Sequence, residues 1–171
     1  MRRSVFLPFF SWLLLLALLS CNPQETNNPQ ISETEDTQAR IAVDAGVLVA
    51  NMEQSLGFYR DLIGLPVIAE ITTSLIGKGR MVQLQHGASL IKLVEMEESP
   101  SQNSPSGLSS ALGYRYITLM ITNMDEMMSK IEQAAVPIAL PLTKLGNGAQ
   151  IVMVEDPDGN VVEFVQEAER K

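Results

Sequence analysis

Several things are scarce in this sequence. Its 171 residues hold one cysteine, Cys21, and one histidine, His86. A lone thiol makes no internal disulfide, so the fold does not depend on one. A single imidazole rules out any site built from two or more histidines. Eight Phe and Tyr residues, one Trp and no basic run leave little for stacking on bases or neutralising phosphates, and the formal net charge is −8. Nucleic-acid binding is excluded on those grounds. No glycine-rich phosphate loop is present, and nothing signals a nucleotide, haem or flavin.

What is present begins at the N-terminus. Arg2 and Arg3 precede an apolar stretch from Val5 to Leu19, which ends in Leu18-Leu19-Ser20-Cys21. A basic start, a short apolar stretch and a small residue before the cut make a secretory signal over residues 1–20, too short for a comfortable membrane span. Leu-Leu-Ser-Cys resembles a bacterial lipobox, which implies cleavage before Cys21 and lipidation there, with palmitate among the chains. Several acyl chains on one residue give stable anchoring. Asn22 is not the aspartate that holds such lipoproteins at the inner membrane, so the resemblance implies a bacterial cell envelope location on the outer membrane, facing the periplasm. Residues 1–20 carry two arginines and no acid, so without them the net charge falls to −10.

Residues 21–40 are polar, acidic and punctuated by proline. They cannot bury enough apolar surface to order themselves, and read as a tether reaching on the order of 25 Å. The domain is expected over 41–168. A second polar stretch divides it into module 1 (about 42–97), a linker (98–112) and module 2 (about 113–168).

The two halves repeat each other. Val49-Ala50-Asn51-Met52-Glu53 is answered by Ile121-Thr122-Asn123-Met124-Asp125, and Leu65-Pro66-Val67 by Val136-Pro137-Ile138. Gly87 with Leu90-Ile91-Lys92-Leu93-Val94 is answered by Gly159 with Val161-Val162-Glu163-Phe164-Val165. The near-constant offset of 71 to 72 residues points to an internal duplication. In each half a strand ends at an asparagine suited to cap a helix, with Gln54 or Glu126 three residues on, in capping-box position. The first helix places Met52, Leu56, Tyr59 and Ile63 on one face and stops at Gly64. The second places Met124, Met128, Ile131 and Ala135 likewise, the methionines being core filler. Three strands follow each helix, so the unit is βαβββ, twice, an α+β fold.

The phrases "SLGFYRDLIGLPVI" (55–68) and "LGNGAQIVMVEDPDGNVVEFVQ" (145–166) within two such modules resemble the vicinal oxygen chelate superfamily, the glyoxalase, bleomycin-resistance and extradiol-dioxygenase group. The resemblance covers nearly all of 42–166. It implies tandem modules forming a curved mixed sheet around a cleft, with up to four side chains, two per module, binding a divalent metal. The matching positions here are Asp44, Lys92, Tyr116 and Glu163. Only Glu163 is a customary ligand there. Asp44 could ligate, Tyr116 is a poor match, and Lys92 does not match. The duplication supports this mapping, because Asp44 to Lys92 spans 48 residues and Tyr116 to Glu163 spans 47.

Strand alternation puts Ile117, Leu119 and Ile121 toward the helices and Tyr116, Thr118 and Met120 toward the cleft. A carboxylate inside the apolar run of 161–165 needs a partner. The expectation is that Glu163 faces Lys92 across the cleft, with Asp44 and Tyr116 near, so that an ammonium stands where relatives hold a metal. The alternative is a structural ion pair in a retired site. No cofactor and no tightly bound divalent metal is expected, and His86 reads as an exposed turn residue.

Three functions compete. The first is a metal-free binder holding a small molecule among Asp44, Leu48, Lys92, Tyr116, Thr118, Met120 and Glu163. The second is a glyoxalase-like lyase or isomerase, ahead of a dioxygenase, with Glu163 as base and Lys92 or Tyr116 stabilising an enolate. The third is a surface interaction module. A small-molecule ligand and the membrane are the expected partners, and a homodimer is left open.

Overall fold

A computed structural model describes residues 42–74, 77–105 and 107–169 of the chain. The signal segment, Cys21 and the tether lie outside the described residues. Alternating apolar and polar residues build eight strands. Module 1 contains β1 (Ala45–Leu48), β2 (Val67–Thr73), β3 (Gly79–His86) and β4 (Ser89–Met96). Module 2 contains β5 (Tyr116–Met120), β6 (Ile138–Lys144), β7 (Gln150–Glu155) and β8 (Val161–Gln166). They form two four-stranded mixed sheets, ordered β1-β4-β3-β2 and β5-β8-β7-β6. In each, the first and last strands of the module run parallel and the other pairs are antiparallel. The expected βαβββ repeat is the observed one.

Helix α1 starts at Met52–Leu56 and α2 is Met124–Gln133. The expected caps form: the Asn51 side chain accepts from the Gln54 amide at 3.0 Å, and that of Asn123 from the Glu126 amide at 3.1 Å. A further cap comes from the repeat. Glu95 Oε1 accepts from the Met52 amide, and its counterpart Gln166 Oε1 accepts from the Met124 amide. The last strand of each module thus satisfies an amide at the helix start that the helix cannot satisfy itself. Asn123→Ala is expected to lower unfolding stability by about 1 kcal/mol in urea titration, with Glu126→Ala costing less.

Two details differ from the periodicity. After Leu56 the first helix widens into a π-helical turn over Gly57–Leu62, with Ile63 N–H donating to Phe58 O at 3.0 Å. The wider turn buries Phe58 and Tyr59 together, edge to face at 4.9 Å. Gly64, at φ +91°, then ends it. In α2 the buried stripe is Met124, Met127 and Ile131, with Met128 only partly covered. Ala135 is not on that stripe, because the chain has left the helix there with φ +51°.

The helix-facing sides of both sheets contribute to a single apolar core. It includes Val49, Leu56, Tyr59, Leu84 and Leu93 from module 1, and Leu119, Ile131, Val152, Val162 and Phe164 from module 2. All described residues fall in one compact unit. Two polar contacts also join the modules. The Tyr59 hydroxyl donates to Asp156 at 2.9 Å, and the Ala50 amide donates to the Asp158 carboxylate at 3.2 and 3.3 Å.

Candidate functional site

Strand register sets where the four mapped positions stand. Pairing of β1 with β4 sets Gly46 beside Lys92, and pairing of β5 with β8 sets Thr118 beside Glu163. Lys92 and Glu163 are therefore equivalent positions on the sheet faces away from the helices. Asp44 lies just before β1. One of its oxygens accepts from the Leu90 amide at 2.9 Å, and the other is 3.0 Å from the Lys92 ammonium. In module 2, Glu163 accepts from the Thr118 hydroxyl at 2.6 Å. Tyr116, Met120 and Leu48 are about half exposed.

This corrects one expectation. Lys92 does not face Glu163: each charged group is held within its own sheet, Lys92 by Asp44 and Glu163 by Thr118. Alternation fixes the face on which a side chain emerges, and both faces are as read. It does not fix the distance between two sheets, and a partner on the adjoining strand is nearer.

A cleft of about 900 Å³ runs along β1 and β5. Asp44, Gly46, Leu48, Tyr116 and Thr118 line it, whereas Lys92, Met120 and Glu163 lie outside its lining. Other residues of the wall were not anticipated. His86 is not an exposed turn residue: it ends β3, is half-buried, and lines the cleft. Burial holds its imidazole below the ordinary value of 6.5. Arg115 ties the linker to the cleft, its Nη2 donating to Pro105 O, Gly107 O and Ser110 Oγ at 2.5, 2.6 and 3.1 Å. Nothing in the sequence marks this, since two of the acceptors are backbone carbonyls.

The turn at Asp156-Pro157-Asp158-Gly159 closes one end. Buried Asp156 accepts from the amides of Asp158 and Asn160, from the Asn160 side chain, and from Tyr59. Gly159 takes φ +80°, which the turn requires. Burial raises the Asp158 carboxyl above its ordinary 3.8, against the lowering effect of the Ala50 amide. Burial, then the neighbouring Asp156 carboxylate, pushes the Tyr59 phenol well above 10.0.

A profile of the glyoxalase/bleomycin resistance protein/dioxygenase superfamily matches residues 39–164. The chain belongs to this superfamily. Solved members of similar fold include a glyoxalase family protein from Bacillus cereus, 16% identical, with TM-score 0.63, covering 75% of this chain and 95% of that one. Another is the trypanothione-dependent glyoxalase I of Leishmania major, 20% identical, TM-score 0.58, covering 72% and 84%. A third is a fosfomycin resistance protein of Listeria monocytogenes complexed with Mn(II) and sulfate, 12% identical, TM-score 0.52, covering 74% and 91%. At these identities the likeness establishes the fold. No curated protein matches the chain.

The donors at the four mapped positions do not fit a divalent ion. A protonated lysine has no lone pair to give and repels a cation, and it occupies the Asp44 carboxylate. A phenol and one carboxylate remain on the other sheet. Among the described residues, no three of His, Cys, Asp and Glu come close enough to hold a metal.

Proposed function

We propose that the chain binds a small molecule in the β1–β5 cleft without a metal, and that a lipid on Cys21 tethers it to the envelope membrane. The observation that carries the first part is the 3.0 Å Lys92–Asp44 pair, which fills with an ammonium the half-site that module 1 would offer an ion. Around it the cleft presents apolar wall from Leu48 and hydroxyls from Tyr116 and Thr118, the mix of apolar lining and few polar groups usual for ligand pockets. A cationic ligand meets Asp44 or Asp158, both of which line the cleft.

The test is a thermal-shift screen of small carboxylic acids, phosphonates and amines, with and without chelator. A ligand present at about 100 times its Kd stabilises the native state by about 2.7 kcal/mol. The expected result is a hit whose shift survives chelator and is lost in Tyr116→Ala. Stoichiometric Ni, Zn, Fe or Mn that is lost on Glu163→Ala would contradict the metal-free reading. For the tether, palmitate label that depends on Cys21 is the expected outcome, and label that persists in Cys21→Ala would refute it.

A lyase or isomerase reading draws support from the Glu163–Thr118 hydrogen bond, which orients a carboxylate whose other oxygen remains able to accept a proton. Turnover of hemithioacetals or 2-oxo acids, abolished in Glu163→Gln, would favour it over simple binding.

A further inference from the structure

Two of the three described arginines meet a carboxylate with the same edge of the guanidinium. Arg60 donates from Nε and Nη2 to Asp61 at 2.6 and 2.8 Å, and Arg80 from Nε and Nη2 to Glu70 at 2.7 and 3.3 Å. Arg115 breaks the pattern. It stands half-buried in the cleft wall, just before β5, and among the described residues no ion pair involves it. Its Nη2 carries two hydrogens but faces three acceptors, Pro105 O, Gly107 O and Ser110 Oγ. Its Nε carries one hydrogen and has no partner. It is the one buried side-chain nitrogen or oxygen so placed among the described residues. A buried donor without an acceptor is costly, so each one needs a reason. The linker crowds single oxygens onto one nitrogen, whereas the planar fork matches two oxygens of one anion.

We propose that the Nε–Nη2 edge of Arg115 is the site for an anionic group of the cleft's ligand, a carboxylate or a phosphorus oxyanion, which displaces the linker oxygens from that edge. The proposal rests on the cleft being a ligand site and names the chemistry of one end of what it holds. Arg115 is the only lysine or arginine among the described residues that line the cleft, so an anion meets no competing ammonium or guanidinium there. A cationic group elsewhere on the same ligand would meet Asp44 or Asp158, so the two contacts are compatible. The linker is able to yield. Asn103, Ser104, Pro105 and Gly107 are all exposed, and apart from Arg115 the stretch is tied to the second module by the Asn103 side chain, which donates to Asp158 O at 3.0 Å. Filling the fork therefore loosens the linker, and anion entry and linker release are one event.

The test titrates the full chain, in mild detergent, with acetate, inorganic phosphate and methylphosphonate, against sodium chloride at equal ionic strength. Contact is read at the Arg115 Nε–H in nitrogen-correlated proton NMR spectra, where the signal is identified by its loss in Arg115→Lys. A saturable downfield shift is expected with at least one oxyanion and none with chloride. The oxyanion that saturates first distinguishes a carboxylate from a phosphorus oxyanion. The same oxyanion is expected to speed amide exchange across residues 99–105 at least tenfold. Arg115→Lys keeps the charge but not the fork, and is expected to bind that oxyanion at least tenfold more weakly at an unchanged unfolding temperature. Should that variant not fold, through-bond assignment identifies the signal and the wild-type titration decides. No shift with any oxyanion, or a shift of equal size with chloride, overturns the proposal, and so does a shift that leaves linker exchange unchanged. A small molecule from the thermal-shift screen that binds the cleft without moving this signal overturns the Arg115 site and leaves the cleft-binding reading standing, so the two failures are told apart.

Discussion

Phe164→Ala is expected to lower the free energy of unfolding by about 3–5 kcal/mol, the range for truncating a buried phenylalanine. Phe164 is fully buried in β8, paired across to Leu119 on β5 and Val152 on β7, both themselves buried. Truncation leaves a void at the centre of the second sheet where the neighbours cannot easily close in. Domains of this size are held by only about 5–15 kcal/mol, so the variant sits close to the folding threshold. The measurement is urea denaturation of Phe164→Ala beside Val165→Ala, the half-buried neighbour on the opposite face. The prediction bears directly on function. A one-residue slip of β8 exchanges its two faces, turning Glu163 into the core and Phe164 out. A loss below about 1 kcal/mol for Phe164→Ala would mean that Glu163 does not stand on the face away from the helices.

Tyr59→Phe is expected to cost about 1–3 kcal/mol, because it removes a donor from a buried carboxylate without supplying another. Tyr59 sits in the π-helical turn of module 1, and its acceptor Asp156 belongs to the turn before β8 of module 2, so the bond ties one half of the duplication to the other. The remaining donors to Asp156 all come from its own turn, from Asp158 and Asn160. A double-mutant cycle of Tyr59→Phe with Asp156→Asn isolates the pair, since neighbouring substitutions fail to add when they share a contact. The pH dependence gives a second readout. The folded protein holds the phenol above 10.0, chiefly through burial and next through the Asp156 charge. The unfolded chain therefore releases that proton first as pH rises. The stabilisation is complete below about pH 10 and declines above it. The difference between wild type and Tyr59→Phe should narrow in that alkaline window. A difference constant with pH would show that Tyr59 contributes packing alone.

The recurrence of Asn51-Met52 at Asn123-Met124, and of Pro66 at Pro137, marks two copies of one module, and asparagine before a 3.6-residue apolar period marks where each helix begins. These features were legible because they rest on local chemistry: capping, alternation and turn residues act over a few positions. The pair formed by Glu95 and Gln166, which cap the helix starts from the far strand, was not legible, although both residues sit at the same place in the repeat. A cap supplied from 42 or 43 residues away leaves no local signal. The wider helical turn at Gly57–Leu62 escaped for a related reason. Its periodicity passes for an ordinary helix until burial of both Phe58 and Tyr59 demands otherwise.

At the site the division is the same. The faces on which Lys92, Tyr116 and Glu163 emerge could be read from the sequence, because a pleated strand alternates side chains strictly. That a lysine stands at a position which the resemblance assigns to a metal ligand is likewise read from residue identity alone. Which acid neutralises that lysine was settled by the fold. Electrostatic attraction depends on separation in space, and the separation between two sheets is set by how their shared core packs. That packing leaves Asp44 at 3.0 Å from Lys92 and places Glu163 beside Thr118.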